Sequence, residues 1–364
     1  MQFFHVAADA FAELTTAPES LPTTGFVWIA SGRREFEVGV AEIQALLLRW
    51  CGSPLVDIHV ADLINHQLPS HFDTTSGYEL LVFRRLAASR GSAQKFVDER
   101  HGTLARTREA LESIDTSPVG FAVFERVLLT VHPTDCPVRD HFVQRLAQTG
   151  PAAVGARRPP SPADLTLRMV NHMVDSYLEL RRLLTRQLGE LQQALLNPRS
   201  AFDDWPLLLD ARNTLNMLED LCEDQRSAVQ EWIDALDEGP AEVGKVQKKE
   251  RELLRLRSRD VLEHIERVLA HVRRLEASAE SAVQIHFAAL GHRTNSIMRT
   301  LTVLTAIFLP LNLITGFFGM NFEFLPLIHS AAGFWVSAAL MVLVGLGLVW
   351  FFWRKRYLSS RERP

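Results

Sequence analysis

With 364 residues, 47% of them hydrophobic, the chain can bury a core in two or three domains, which excludes short peptides and disordered tails. Its 39 basic and 43 acidic residues sum to a formal charge of −4, so the whole molecule lacks the field that nucleic-acid binding would need. Three scattered cysteines, Cys51, Cys136 and Cys222, fit reduced thiols of a cytoplasmic compartment and not a disulfide framework.

The opening MQFFHVAADAFAEL carries acids and no basic stretch before an apolar run, so no signal peptide is expected and this part should stay in the cytoplasm. Residues 1–160 mix β-like runs (GFVWIA at 25–30, YELLVF at 78–83, VGFAVF and VLLTVH at 119–132) with helical stretches such as 40–50, and read as an α/β domain. The last two runs, separated only by Glu125 and Arg126, suit a hairpin. The string RRPPSP at 157–162 marks a boundary, and beyond it the pattern is helical.

Residues 161–240 predict an antiparallel helix pair, about 163–196 ending at Asn197-Pro198 and about 203–236 ending at Glu238-Gly239-Pro240. The acids around 219–238 read as a solvated helix face. From Val243 onward Leu254, Val261, Val268 and Leu275 recur every seven residues beside Ile265 and Val272, the mark of a long stalk helix. Nothing in HRTNSIMRTL stops it, so the helix is expected over 241–318 and runs into a first membrane span at about 298–318. From Val243 to Phe318, at ~1.5 Å per residue, such a helix is about 110 Å long, a length that makes sense beside like neighbours.

Two uncharged runs define the membrane part. No residue from Thr300 to Phe322 is charged, and none from Ser330 to Trp353; each exceeds the ~20 residues needed to cross the hydrocarbon. The expected order is first span, a periplasmic loop at 319–331, a second span at 332–353 and a basic cytoplasmic tail at 354–364. Arg293 and Arg299 precede the first span and Arg354, Lys355 and Arg356 follow the second, whereas only Glu323 and His329 lie between, so both termini should face the cytoplasm. The second span has no amide and closes on aromatics at Trp350–Trp353, as lipid-facing helices do.

On the first span Asn295, Met298, Thr302, Thr305, Leu309, Asn312 and Gly316 fall at alternating spacings of three and four, making one polar seam. An amide such as Asn312 in hydrocarbon is costly, so the seam faces either a partner helix, for which Thr, Asn and Gly are also apt, or a water-filled path. Two spans cannot enclose such a path, so a pore requires several copies about an axis.

The close of the first span, Phe318-Gly319-Met320-Asn321-Phe322, resembles the Gly-Met-Asn signature of the CorA family of Mg²⁺, Co²⁺ and Ni²⁺ channels, to which the ZntB zinc transporters also belong. Its place strengthens the likeness, between a span that follows a long charged helix and a second span near the C-terminus. The strings TLTVLTAIFLPLNLITGFFGMNFEFLP, WFFWRKRYL, GFVWIA, PLVDIHVADLINHQLPSHFD and RDVLEHIE are similar to the family as well. The resemblance implies an α+β membrane protein: an αβα cytoplasmic domain, a helical pair, a long helix that becomes the pore lining, and a funnel-shaped homopentamer in an inner membrane. It implies that Gly319, Met320 and Asn321 receive a hydrated divalent cation, with Glu323 beside them at the mouth. It also moves the seam residues Asn295, Met298, Thr302, Leu309, Asn312 and Gly316 to the lumen, with Leu301 and Leu309 as apolar constrictions that gate by excluding water. Asp260, one helical turn from His264, falls where CorA proteins bind a regulatory cation between subunits. No resident cofactor is implied; the divalent cation is cargo and regulator.

A different class, a non-conducting membrane-anchored coiled-coil adaptor or sensor, leaves the seam unexplained. An enzyme is not expected: there is no Walker A string, no G-x-G-x-x-G after a strand and no H-E-x-x-H. His132 and Cys136 beside two prolines read as a turn.

Overall fold

The structure is a computed structural model, and it describes residues 1–88, 111, 114–148, 158–196, 205–238, 245–320 and 331–355. The N-terminal part opens with β1 (Gln2–Val6), β2 (Phe11–Leu14) and β3 (Phe26–Gly32), then α1 (Arg33–Cys51) and α2 (Asp57–Ile64). It continues with β4 (His71–Thr74), β5 (Glu79–Arg84), the short β6 (Ala87–Ala88) and β7 (Ile114–Asp115), then β8 (Pro118–Val123), β9 (Val127–His132) and α3 (Pro137–Gln148). Seven strands form one sheet in the order β2-β1-β3-β9-β8-β5-β4, with β3 and β9 parallel and every other neighbour antiparallel. The expected hairpin is β8–β9, in register from Gly120 opposite Val131 to Val123 opposite Leu128.

The central strands are buried on both faces, which requires a helical layer on each side. Along β3 the side chains alternate: Val27 and Ile29 pack with Phe36, Ile43 and Leu47 of α1, while Phe26 and Trp28 join the opposite core. That larger core is covered by α4 (Pro162–Asp175), α5 (Tyr177–Leu196), α6 (Trp205–Glu238) and the first part of α7 (Lys245–Phe318). Phe72 and Trp232, 5.5 Å apart, tie α6 to the β4 edge. The result is the αβα sandwich that the resemblance implies for the N-terminal part.

The helix expected over 163–196 is two helices. α4 starts with Ser161 as N-cap, accepting from the Asp164 N–H, and Pro162 in the first turn. Ser176 separates it from α5: its backbone keeps helical angles and its N–H donates to the His172 carbonyl, while the hydroxyl reaches the carbonyls of Met173 at 2.5 Å and Leu86 at 3.1 Å and ties the junction to the sheet.

α7 is continuous for 74 residues, through Gly291 and Pro310. The chain forms two compact units, Met1–Glu280 and Ser281–Pro364. In the first, Leu254, Val261, Ile265, Val268 and Val272 are buried in the core under α4–α6. The sevenfold stripe is therefore covered within the chain. Ion pairs add to it: Arg273 meets Glu219 at 2.6 Å and also Glu223, and Arg255 meets Asp237 at 2.6 Å. Part of the acid-rich face of α6 thus pairs with α7 arginines instead of lying bare in water. In the second unit α8 (Ala331–Arg354) packs on the last part of α7, with Val303 buried and Ile307, Pro310, Leu311 and Ile314 half-buried. Gly345 faces Leu311 there: a methyl at that position would stand 3.9 Å from both Leu311 methyls, in ordinary contact.

Candidate functional site

The seam residues Asn295, Met298, Thr302, Thr305, Leu309, Asn312 and Gly316 are all exposed in the single subunit, and Leu301 is exposed beside them. At ~100° per residue the centre of the seam lies roughly 150° around α7 from the face that packs on α8. α8 thus covers one side of α7 and leaves the polar line open on the other. The hydroxyls on this helix are satisfied locally: Thr302 donates to the Met298 carbonyl at 2.8 Å and Thr305 to that of Leu301 at 2.9 Å. Their second lone pairs remain able to accept from water. No such bond is formed by the Asn312 amide among the described residues, so it is the group on the line that most needs a polar neighbour.

At the upper end, α7 stops at Phe318. The Gly319 N–H donates to the Thr315 carbonyl at 2.9 Å and the Met320 N–H reaches the Phe317 carbonyl at 3.4 Å. A Cβ at Gly319 would stand only 2.9 Å from the Thr315 oxygen, against backbone that would have to shift. The requirement for glycine here is a close approach of main chain to main chain. Asn321 and Glu323 lie outside the described residues.

In the lower part of α7, Asp260 and His264 share a face, but their closest atoms are 3.9 Å apart. The imidazole stands instead between two carboxylates: its Nδ1 is 3.3 Å from Asp175 at the end of α4. Asp175 is a partner the sequence did not reveal, because it sits on another helix and closes no motif. Asp260 stays largely exposed, and among the described residues no group of three or more His, Cys, Asp or Glu could hold a metal. One subunit alone does not complete a cation site there.

These features define a class: an αβα domain, a long uninterrupted helix, and a C-terminal pair of helices long and apolar enough to cross a membrane. The sequence matches the CorA-like Mg²⁺ transporter protein family over residues 62–356, and the chain belongs to that family. It is 30% identical over 100 residues to the cobalt/magnesium transport protein CorA of Thermotoga maritima, a stretch that is 28% of either chain. It is 26% identical over 250 residues to YfjQ of Bacillus subtilis, covering 66% of this chain and 70% of that one. The complete CorA magnesium transporter of Methanocaldococcus jannaschii has the same fold, with a TM-score of 0.70 at 20% identity over 97% of both chains. The full-length CmaX protein aligns with a TM-score of 0.58 at 17% identity.

Proposed function

We propose that the chain is one subunit of a homo-oligomeric channel, a pentamer, that passes divalent metal cations, Mg²⁺ first and Co²⁺ and Ni²⁺ as surrogates. It sits in an inner membrane with both termini in the cytoplasm. The observation that carries this reading is the exposed polar seam of α7, opposite the face covered by α8, which Gly319-Met320-Asn321 follows in the sequence. Copies set about an axis bring their seams together, which supplies the water that Asn312 needs. In the membrane pair, α7 lines the lumen and α8 forms the outer ring.

In this reading a cation arrives with its water shell and is held by neutral oxygens at the mouth, Gly319, Met320 and Asn321, with Glu323 concentrating it there. Mg²⁺ gives up water reluctantly, so amide and carbonyl oxygens that bind the shell suit it better than a dehydrating cage. Below, Asn312, Thr305, Thr302 and Asn295 offer rings of polar groups, and Leu309 and Leu301 supply rings that close by excluding water. Asp260, exposed on the stalk, holds a regulatory cation jointly with the neighbouring subunit, and His264 orients the site through Asp175.

The test is divalent-cation uptake into vesicles carrying the purified assembly. Asn321→Ala, still assembled, is expected to lose uptake; normal flux through that variant would sink the pore assignment.

A further inference from the structure

The face of α8 turned away from α7 carries two features that the transport reading does not use. Between Trp335 and Leu346 lies a groove of about 560 Å³, lined by those two residues and Ala338, Ala339, Val342 and Leu343. The alanines create it, as a trough between larger side chains. Further along, Trp350, Trp353 and Arg354 are exposed, and the Arg354 guanidinium stands 5.4 Å from the centre of the Trp350 ring. At ~100° per residue these three lie within about a quarter turn of the centre of the groove, whereas Ser337, Met341, Val344, Gly345, Leu348 and Phe352 form the half-buried face toward α7.

Depth places more charge at the same level. Taking the Gly345–Leu311 contact as a reference, Arg354 is about 13 Å along α8 and Arg299 about 18 Å along α7, in the same direction because the helices are antiparallel. Lys355 follows Arg354 directly, and α8 contains no acid that could neutralise them. An apolar trough leads to an aromatic belt and then to a cationic end, which is the order of parts in a lipid that bears a negative headgroup.

We propose that this face of α8 binds an anionic phospholipid of the leaflet on the Arg354 side, with an acyl chain along Leu346, Leu343, Val342 and the two alanines and the phosphate on Arg354. Lys355 and Arg299 supply the surrounding positive field. A zwitterionic headgroup of the same shape brings an ammonium into that field, so charge selects the lipid. The proposal rests on the membrane placement given above, but it is read out by lipid retention and not by ion flux, so either can fail without the other.

The experiment is native mass spectrometry of the full-length assembly after exposure to phosphatidylglycerol or phosphatidylcholine with identical acyl chains. At about 1 kcal/mol per cation near the surface, the wild type should retain phosphatidylglycerol at least about fivefold over phosphatidylcholine, and Arg354→Gln should lower that preference by about fivefold. Ala339→Trp fills the trough and should lower retention of both lipids; the wild-type and Arg354→Gln comparisons decide even where this variant does not assemble. Excess inorganic phosphate should leave the lipid in place. Equal retention of the two lipids by the wild type, an unchanged preference in Arg354→Gln, or full displacement by inorganic phosphate would each overturn the proposal.

Discussion

Asp164 of α4 and Arg257 of α7 form an ion pair in which the carboxylate has no solvent exposure, and Arg168 stands 2.9 Å from the other oxygen of the same carboxylate. Two arginines on different helices converge on one buried charge, so the α4–α7 junction depends on all three. Loss of Arg257 leaves the buried carboxylate with Arg168 alone, so the cost should fall below the ~3 kcal/mol of a buried charge stripped of its only partner. Arg257→Ala should therefore lower the unfolding midpoint clearly, and Asp164→Asn combined with it should cost much less than the sum of the two. Additive effects in a double-mutant cycle would show that the three groups do not act as a unit.

A second expectation concerns acid. The His141 and His172 rings stack at 4.0 Å with planes 9° apart, between α3 and α4. Burial, then the neighbouring His141, Arg85 and Arg145, push the His172 pKa down to about 4 from 6.5. Burial and Arg145 lower His141 as well. A lowered histidine pKa means that the unfolded chain takes up the proton first. The stability contributed is then complete above pH ~6.5 and is lost as pH falls toward ~4. His132 and His271 are shifted in the same direction by burial, so they add to the slope. Unfolding midpoints measured from pH 7 to 4.5 should fall, and His172→Phe should flatten part of that fall; an equally steep profile in the variant would assign the slope elsewhere.

The long helix and the two apolar C-terminal helices were legible because they depend on local chemistry: no Pro or Gly between Lys245 and Leu290, recurrence every seven residues, and uncharged runs of membrane length. The αβα arrangement came with the family resemblance, and the strands at 25–30, 78–83 and 119–132 stood out as apolar runs. What the sequence did not disclose are relationships across the chain. The stripe through Val261 and Val268 has the same period whether a neighbour or the chain itself covers it, and only the packing under α4–α6 tells which. The junction at Ser176 meets the Leu86 carbonyl, ninety residues earlier, a contact that no local pattern signals. Glu219 and Glu223 looked solvated because Arg273 lies on another helix. In the seam, positions could be read but exposure could not. That Asn312 and Leu309 face away from α8 follows from where Gly345 meets Leu311.

The close approach at the top of α7 makes Gly319 testable apart from Asn321. Gly319→Ala places a methyl 2.9 Å from the Thr315 carbonyl, which forces the final turn to open. The expected result is an assembled protein with strongly reduced divalent-cation flux, because the signature residues that follow are displaced. Wild-type flux in Gly319→Ala would mean that the turn yields without disturbing the mouth.

On the stalk, Asp260 and His264 should separate. Asp260 is exposed, and on the proposed reading it meets a cation at a subunit boundary, whereas His264 lies 3.3 Å from Asp175. Asp260→Ala should weaken inhibition of uptake by internal Mg²⁺ severalfold, and His264→Gln should do so less. Identical, unshifted inhibition curves for wild type and Asp260→Ala would reduce the aspartate to a solvated stalk residue.

The remaining prediction is which ion passes. Zn²⁺ is selected by Cys and His ligands that strip its water, and the seam from Asn295 to Gly316 contains neither. Amides, hydroxyls and carbonyls bind a hydrated ion without dehydrating it, which favours Mg²⁺. The loop after the signature reads Phe322-Glu323-Phe324-Leu325-Pro326-Leu327, and Leu327 stands where Mg²⁺ transporters of the family often carry a second acid. On the proposed reading Glu323 alone draws cations to the mouth, over a range of ~8 Å at physiological salt, and affinity for external Mg²⁺ should then be modest and weaken further as ionic strength rises. Glu323→Gln should raise the Mg²⁺ concentration for half-maximal uptake severalfold while leaving the maximal rate near wild type, because the acid concentrates ions and does not bind them in transit. Uptake in vesicles with ion-specific dyes decides both points: Zn²⁺ flux in the absence of Mg²⁺ flux would overturn the choice of ion and leave the channel architecture standing.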